Sequence, residues 1–183
     1  VVVGGGYVGL ELADALRHQD LEVTLVESAP QPMTTLDPEM GALVTETLED
    51  VGITVHLGEE VDRFDVEDGS VRAVHTEQRT LPADVVILGL GVVPNVDLAR
   101  GAGVTVGPTG GVTVDDHMRT SAPGVFAAGD CAETFHRVSR RPVVVALGTH
   151  ANKQGLVAGI NATGGDAVFP GVLGTAAVKG CKY

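Results

Sequence analysis

The sequence predicts an α/β fold: a parallel sheet, an antiparallel β-meander beside it, and part of a second domain of the same kind. Three observations carry that reading. A valine strand enters a glycine-rich turn and an amphipathic helix; two further strands are separated by a second helix; the period of apolar residues then changes from helical to alternating.

Val1 to Val3 form the first strand and run straight into Gly4-Gly5-Gly6-Tyr7-Val8-Gly9. The next stretch places Val8, Leu12, Ala15 and Leu16 at helical spacing, with Glu11, Asp14, Arg17 and His18 between them. Leu21, Val23 and Leu25 alternate up to Glu27, a short strand. Asp37-Pro38 is a cap followed by a first-turn proline, and Gly52 is a stop, so a second helix lies between them. Ile53 to Leu57 completes a β-α-β-α-β series, the pattern of a parallel sheet. Val61 to Val66, the turn Glu67-Asp68-Gly69 and Val71 to Thr76 then predict a hairpin, with Arg79 to Leu81 as a third antiparallel strand.

Val85 to Leu88 is continuously apolar, which predicts a strand buried on both faces. Loop texture follows Gly89-Leu90-Gly91 as far as Gly111 to Val114. Val125 to Ala128 predicts another buried strand, ending at Gly129-Asp130. Thr149 to Asn161 reads as a helix capped by Thr149, with apolar Ala151, Leu156, Val157 and Ile160. The stretch from Phe169 to Tyr183 is short and glycine-rich.

The 183 residues suit one large domain or one and a half ordinary ones, and a strand that begins at residue 1 without a Met marks a piece of a longer polypeptide. With 44% apolar and 20% charged residues, intrinsic disorder is excluded. A formal charge of -12 argues against nucleic acid and against an anionic membrane surface as partners. The longest apolar run, Val85 to Pro94, is too short and too broken by glycine to span a bilayer. Cys131 and Cys181 make no disulfide framework and fit a reducing, cytoplasmic compartment. Lys153, Lys179 and Lys182 are the only lysines; an acidic, lysine-poor surface fits either solvation in concentrated salt or an ordinary acidic protein. The six histidines lack metal spacing, so no metal site is expected, and no serine triad or nucleophile elbow is present.

Gly4, Gly6 and Gly9 fit G-x-G-x-x-G in its proper setting, leaving a strand and opening a helix inside a β-α-β unit. Gly4 makes the tight turn, Gly6 lets a pyrophosphate approach the backbone, and Gly9 lets helix and strand pack closely. The helix start supplies free N–H groups for the phosphates. Glu27 stands at the end of the second strand, where a carboxylate accepts from ribose hydroxyls; its plain alternative is a solvated strand-end charge. A 2′-phosphate would be repelled there, and Ser28 to Thr35 hold no Arg or Lys to clamp one, so NADH is expected over NADPH. Asp130, after Gly129, ends an apolar run where a carboxylate is costly without hydrogen-bond donors; its plain alternative is a helix N-cap before Cys131.

These residues carry a family resemblance. The run from Gly4 to Glu11 with Val26-Glu27 resembles the nicotinamide-nucleotide domain of the FAD-dependent pyridine nucleotide-disulfide oxidoreductases. Asp84 to Asn95, with Gly89 and Gly91, resembles their return into the FAD domain, and Thr120 to Glu133 resembles their second flavin motif. Leu147 to Gly155, with Ala151 and Asn152, and Pro170 to Ala176 look like the coenzyme A-disulfide reductase and NADH oxidase branch. The resemblance implies a Rossmann-type FAD/NAD(P)-binding fold: an NAD-binding domain over 1–88, the C-terminal half of an FAD domain over 89–170, and the start of an interface domain over 171–183. It further implies FAD and NAD as cofactors, a cytoplasmic homodimer, and an acceptor that is coenzyme A disulfide, a related disulfide, oxygen or peroxide. The helix from about Ala151 would aim its positive end at the flavin, where reduction develops negative charge.

Tyr7 resembles the aromatic that covers the flavin face, and Glu11 the acid near the nicotinamide carboxamide, with Val8 between them in the same cofactor-binding run; the alternatives are plain packing for Tyr7 and a surface charge for Glu11. The family also needs a first flavin glycine motif and a redox cysteine, both expected upstream of Val1, so no catalytic residue is assigned in this chain and the fragment alone is expected to be inactive. Cys131 and Cys181 form no C-x-x-C and read as structural. A nonenzymatic redox sensor or electron-transfer subunit shares every one of these motifs.

Overall fold

Valine, leucine and isoleucine from three parallel strands and two helices bury one another to make the first core, and the glycine turn sits at its edge. In the computed structural model, which describes residues 1–177, the chain divides into two units, Val1–Gly91 and Val92–Ala176. In the first unit β1 (Val2–Val3), α1 (Tyr7–Arg17), β2 (Val23–Glu27), α2 (Pro38–Asp50) and β3 (Ile53–Leu57) follow the predicted order. β4 (Val61–Glu67), β5 (Ser70–Thr76) and β6 (Thr80–Pro82) form the antiparallel meander, and β7 (Ile87–Leu88) returns to the parallel sheet, whose order is β3-β2-β1-β7. Val2, Leu10, Ala13, Leu25, Leu48 and Ile53 are the heart of the core. Each Val, Leu or Ile among them contributes about 1.5–3 kcal/mol by leaving water.

The β4–β5 turn needs two left-handed residues, and Asp68 and Gly69 supply them at φ 51 and 76. Pro38 opens α2 at its first turn, as its locked φ favours.

Two expectations for this unit are corrected. The buried side of α1 is Gly9, Leu10 and Ala13, whereas Val8 is 57% exposed and Leu12 and Ala15 also face out. The helix carries apolar residues on both sides, and close approach at Gly9 selects which side packs. β7 is not covered on both faces: it is an edge strand paired with β1 alone, and Val85 and Leu88 are 60% and 55% exposed.

The second unit contains α3 (Asp97–Gly101), β8 (Val112–Thr113), β9 (Ala132–Phe135), β10 (Pro142–Val143) and α4 (Gly148–Ala162). β8 and β9 are parallel, and β9 and β10 antiparallel. Met118, Val157, Phe169 and Val172 form one small core, and Val96, Val104 and Val112 another. The stretch from Val125 to Ala128 is not a buried strand: it makes one bridge, Phe126 to Arg119, and stays half-exposed before a 3-10 turn at Gly129–Cys131. Gly129 at φ 80 bends the chain out of extended geometry there.

Thr149 is not the cap of α4; Leu147 holds that position, and no side chain bonds the helix start. The buried face of α4 is Gln154, Val157 and Asn161, with Leu156 66% exposed. Asn161 is buried because its amide bonds the carbonyls of His117 and Ala167 and accepts from the Ala167 N–H at 2.7 Å. No helix among the described residues is long and apolar enough to cross a membrane. Cys181 and residues 178–183 of the expected interface segment lie outside the described residues.

Candidate functional site

The turn between β1 and α1 is built by backbone crowding. A Cβ at Gly9 would collide with the Gly4 carbonyl oxygen, and one at Gly4, whose φ is 103, with the carbonyl oxygen of Gly89. A Cβ at Gly89 would in turn stand 3.1 Å from the Gly9 backbone. These glycines let the start of α1 press against the ends of β1 and β7. Gly6 differs: nothing lies within 4 Å of where its Cβ would be, and it caps α1 with no side chain. The first N–H groups of α1 have no partner inside the helix, so the turn presents bare backbone donors at the positive end of a helix.

Glu27 is placed against this turn. Its Oε2 accepts from the Gly5 N–H at 2.6 Å, and its Oε1 from the Ala29 N–H at 2.7 Å and the Ser28 hydroxyl at 3.2 Å. Gly4 N–H bonds the Val26 carbonyl, and Met33 N–H bonds the Gly5 carbonyl. The carboxylate is therefore fixed before any ligand arrives, with acceptor lone pairs still free.

Gly4, Gly6, Glu27, Gly89 and Gly91 line one cleft of about 550 Å³. Its remaining charged lining is Glu59, Glu60 and Asp62; no Lys or Arg lines it. Buried Gly5 and Gly9 act from behind the cleft surface. Tyr7, Val8 and Glu11 project from the exposed face of α1 and are outside the lining.

The second unit holds the other predicted residues. Asp130 and Ala151 share a cleft of about 800 Å³ with Pro94, Asn95, Cys131 and Gly148. Gly129 faces Ala151, since a Cβ there would sit 3.4 Å from the Ala151 Cβ. Asp130 is exposed, not at a buried sheet edge as its preceding apolar run implied, because that run forms no strand. Asn152 is exposed and outside the lining. Cys131 is a free, half-covered thiol whose sulfur lies 3.6 Å from the Ala128 carbonyl.

Hydropathy gave no sign of Gln154. It is 2% exposed and accepts the Gly129 N–H at 2.7 Å, tying α4 to the turn that carries Asp130. Histidine spacing likewise missed a consecutive trio, Asp115, Asp116 and His117, whose ligand-type atoms lie within 4.8 Å of one another. His117 gives one ring nitrogen to Asp116 at 2.8 Å and the other to Asp166 at 3.0 Å. The hydrogen bond to Asp116, with that to Asp166, holds this imidazole above its ordinary value of 6.5.

A glycine turn that presents helix N–H groups beside a strand-end carboxylate defines the Rossmann class, the α/β proteins built to hold dinucleotides. Residues 1–155 match the pyridine nucleotide-disulphide oxidoreductase family, and the chain belongs to it. It is 41% identical over 180 residues to the "NAD(P)H sulfur oxidoreductase (CoA-dependent)" of Pyrococcus abyssi, covering 98% of this chain and 40% of that protein. It matches the crystal structure of an FAD-dependent pyridine nucleotide-disulphide oxidoreductase from Desulfovibrio vulgaris with a TM-score of 0.93 and 44% identity, over 97% of this chain and 45% of that one. For an NAD-dependent persulfide reductase from A. fulgidus the TM-score is 0.92 and the identity 42%, over 97% and 33%. Proteins named NADH oxidase are also among the relatives. The chain spans about two fifths of the length of the curated relatives it matches.

Proposed function

We propose that this chain supplies the NADH site and part of the FAD site of a flavoprotein that passes hydride from NADH through FAD to a disulfide or to oxygen or peroxide. The observation that carries the reading is the Glu27 carboxylate held by the Gly5 and Ala29 amides beside the open backbone of Gly6. Both groups fit the residues present. The Gly6 backbone and the first amides of α1 bind the pyrophosphate, and the free lone pairs of Glu27 accept from the adenosine ribose. A 2′-phosphate would meet Glu27, Glu60 and Asp62 with no cation in the lining, which favours NADH. In the second unit, Asp130, Gly129, Ala151 and Asn152, with the start of α4, are assigned to the flavin; in the first, Tyr7, Val8 and Glu11 are assigned to the nicotinamide end of the dinucleotide. When bound, FAD would supply the capacity to accept hydride and to release electrons one or two at a time.

The acceptor's class has support in the second unit. A cleft of about 470 Å³ sets Arg137 and Lys153 beside Leu156 and Leu173. Two cations over an apolar wall, in a chain of net charge -12, suit an acceptor with phosphates and a hydrocarbon arm, as coenzyme A disulfide has. The reactive thiol is assigned to the part of the whole protein beyond these residues, and the working assembly to a cytoplasmic homodimer. The test is NADH consumption by the full-length protein with bound FAD and a panel of coenzyme A disulfide, persulfide, oxygen and peroxide. Turnover with at least one acceptor is expected; none with any of them contradicts the proposal.

A further inference from the structure

Glu59 is a carboxylate with 4% of its surface exposed, a costly place for a charge. It lies in the segment between β3 and β4 and is held on every side. The Arg79 guanidinium grips both of its oxygens, NH2 to Oε1 at 2.7 Å and Nε to Oε2 at 3.0 Å. The Thr76 hydroxyl donates to Oε2 at 2.8 Å, and the His56 ring stands 4.0 Å from Oε1. Thr76 is itself fixed by accepting the Gln78 and Arg79 N–H groups at the β5–β6 turn. An ion pair that buries one carboxylate against a partly exposed guanidinium adds little net stability over apolar packing, so its position in the fold is the informative feature.

The backbone of the same segment reaches the ribose carboxylate. Glu59 N–H donates to the Glu27 carbonyl at 3.1 Å, and Gly58 N–H donates to the Ala29 carbonyl at 2.9 Å. Ala29 N–H is one of the two amides that hold the Glu27 side chain, and Glu59 to Asp62 form one wall of the cleft. A series of bonds thus runs from Arg79 and Thr76 to Glu59, and from the backbone of Gly58 and Glu59 to the carbonyls of Ala29 and Glu27.

We infer that the Glu59–Arg79–Thr76 network is a positioning device for the adenosine-ribose end of the dinucleotide cleft: it clamps the meander onto the end of β2 and sets where Glu27 points. The inference rests on the NADH reading of that cleft. Glu59 acts through Glu27 and touches no reacting atom. Its own charge is already matched by Arg79, so it does not act as a repeller of the 2′-phosphate.

The test uses the full-length, FAD-loaded protein and ADP-ribose as the probe, titrated by calorimetry. Glu59→Gln keeps the size and the bond from Thr76 but removes the charge. Its ADP-ribose Kd is expected to rise about tenfold, the lower end of what losing an orienting group costs. Hydrogen exchange at Gly58 and Glu59 should quicken, and the KM for NADH should rise with kcat unchanged, because the nicotinamide end is untouched. NADPH should gain nothing. Arg79→Lys, which keeps a cation, should recover part of the affinity and Arg79→Gln none. Should Glu59→Gln fail to fold, Thr76→Val removes one bond to the carboxylate and should weaken ADP-ribose about threefold in the same direction. A wild-type protein that binds ADP-ribose, with unchanged Kd in folded Glu59→Gln or Thr76→Val, overturns the positioning role and leaves the cleft standing. A rise in NADPH affinity also overturns it, by making Glu59 a simple charge filter. Wild-type protein that does not bind ADP-ribose overturns the cleft reading and this inference with it.

Discussion

The two units prepare their ligand-facing groups in opposite ways. In the first, the frame of the glycine turn is fixed while its donors stay open: Gly4, Gly9 and Gly89 are packed to backbone contact, and Glu27 is anchored by two amides. In the second, Asp130 is exposed and has no hydrogen bond among the described residues; only the turn behind it is fixed, through Gln154. The first site is therefore preorganised and sensitive to single atoms, while the second fixes its backbone and leaves its carboxylate free to be ordered by what it binds. Preorganisation of the first kind lowers the ordering cost of binding.

The largest effect that tests this contrast should come from Gly9→Ala. Its added methyl has nowhere to go but the Gly4 carbonyl, so the first unit should lose about 3 kcal/mol, the upper range for overpacking. A denaturant titration that follows each unit separately should find the second unit unmoved. Next comes Gln154→Ala, which removes a buried side chain and leaves the half-buried Gly129 N–H without its partner. The second unit should lose about 1–3 kcal/mol and the full-length protein should retain less FAD after dialysis. Asp130→Asn, by contrast, should leave stability within about 0.5 kcal/mol while weakening flavin retention, since an exposed group carries no packing. Equal destabilisation by Gln154→Ala and Asp130→Asn would erase the contrast between a fixed turn and a free carboxylate.

The smallest effect is a pH dependence of the second unit. His117 lies between Asp116 and Asp166 and binds its proton more tightly when folded than its ordinary value allows. A raised folded value contributes stability that is complete below about 6.5 and fades as pH rises through the folded value. The urea midpoint of the second unit should accordingly fall as pH rises above 6.5, and His117→Gln should flatten that slope.

The same contrast explains what the sequence makes legible. The first unit's β1 to β6, α1 and α2 are short-range structures whose signals sit within a few residues: a first-turn proline, an Asp-Gly turn, alternating valines. The glycine turn was readable because its spacing lies within six residues between a strand and a helix, although the group that crowds Gly4 is the distant Gly89 carbonyl. In the second unit the decisive contacts are between residues far apart in sequence. Apolar Val125 to Ala128 resembles a strand, yet it makes a single bridge, at Phe126, and α3, β9 and β10 are too short to leave a period. Polar Gln154 and Asn161 are the inward face of α4 because distant backbone groups need them, which hydropathy reads in reverse. In α1, the apolar stripe chosen by periodicity lost to the one that Gly9 admits. The Glu59–Arg79 pair left no motif at all, being 20 residues apart in two different connecting segments.

Under the proposed function, the preset Glu27 carboxylate, beside the open Gly6 backbone, receives the adenosine ribose of a nicotinamide dinucleotide that lacks a 2′-phosphate. The most direct measurement is a calorimetric titration of the full-length protein with NADH and with NADPH, repeated on Glu27→Gln. The account predicts NADH binding at least about tenfold tighter than NADPH in the wild type, the equivalent of about 1.4 kcal/mol, and a gap that closes in the variant mainly through weaker NADH. Equal affinity for the two coenzymes in the wild type, or a gap untouched by Glu27→Gln, would contradict it.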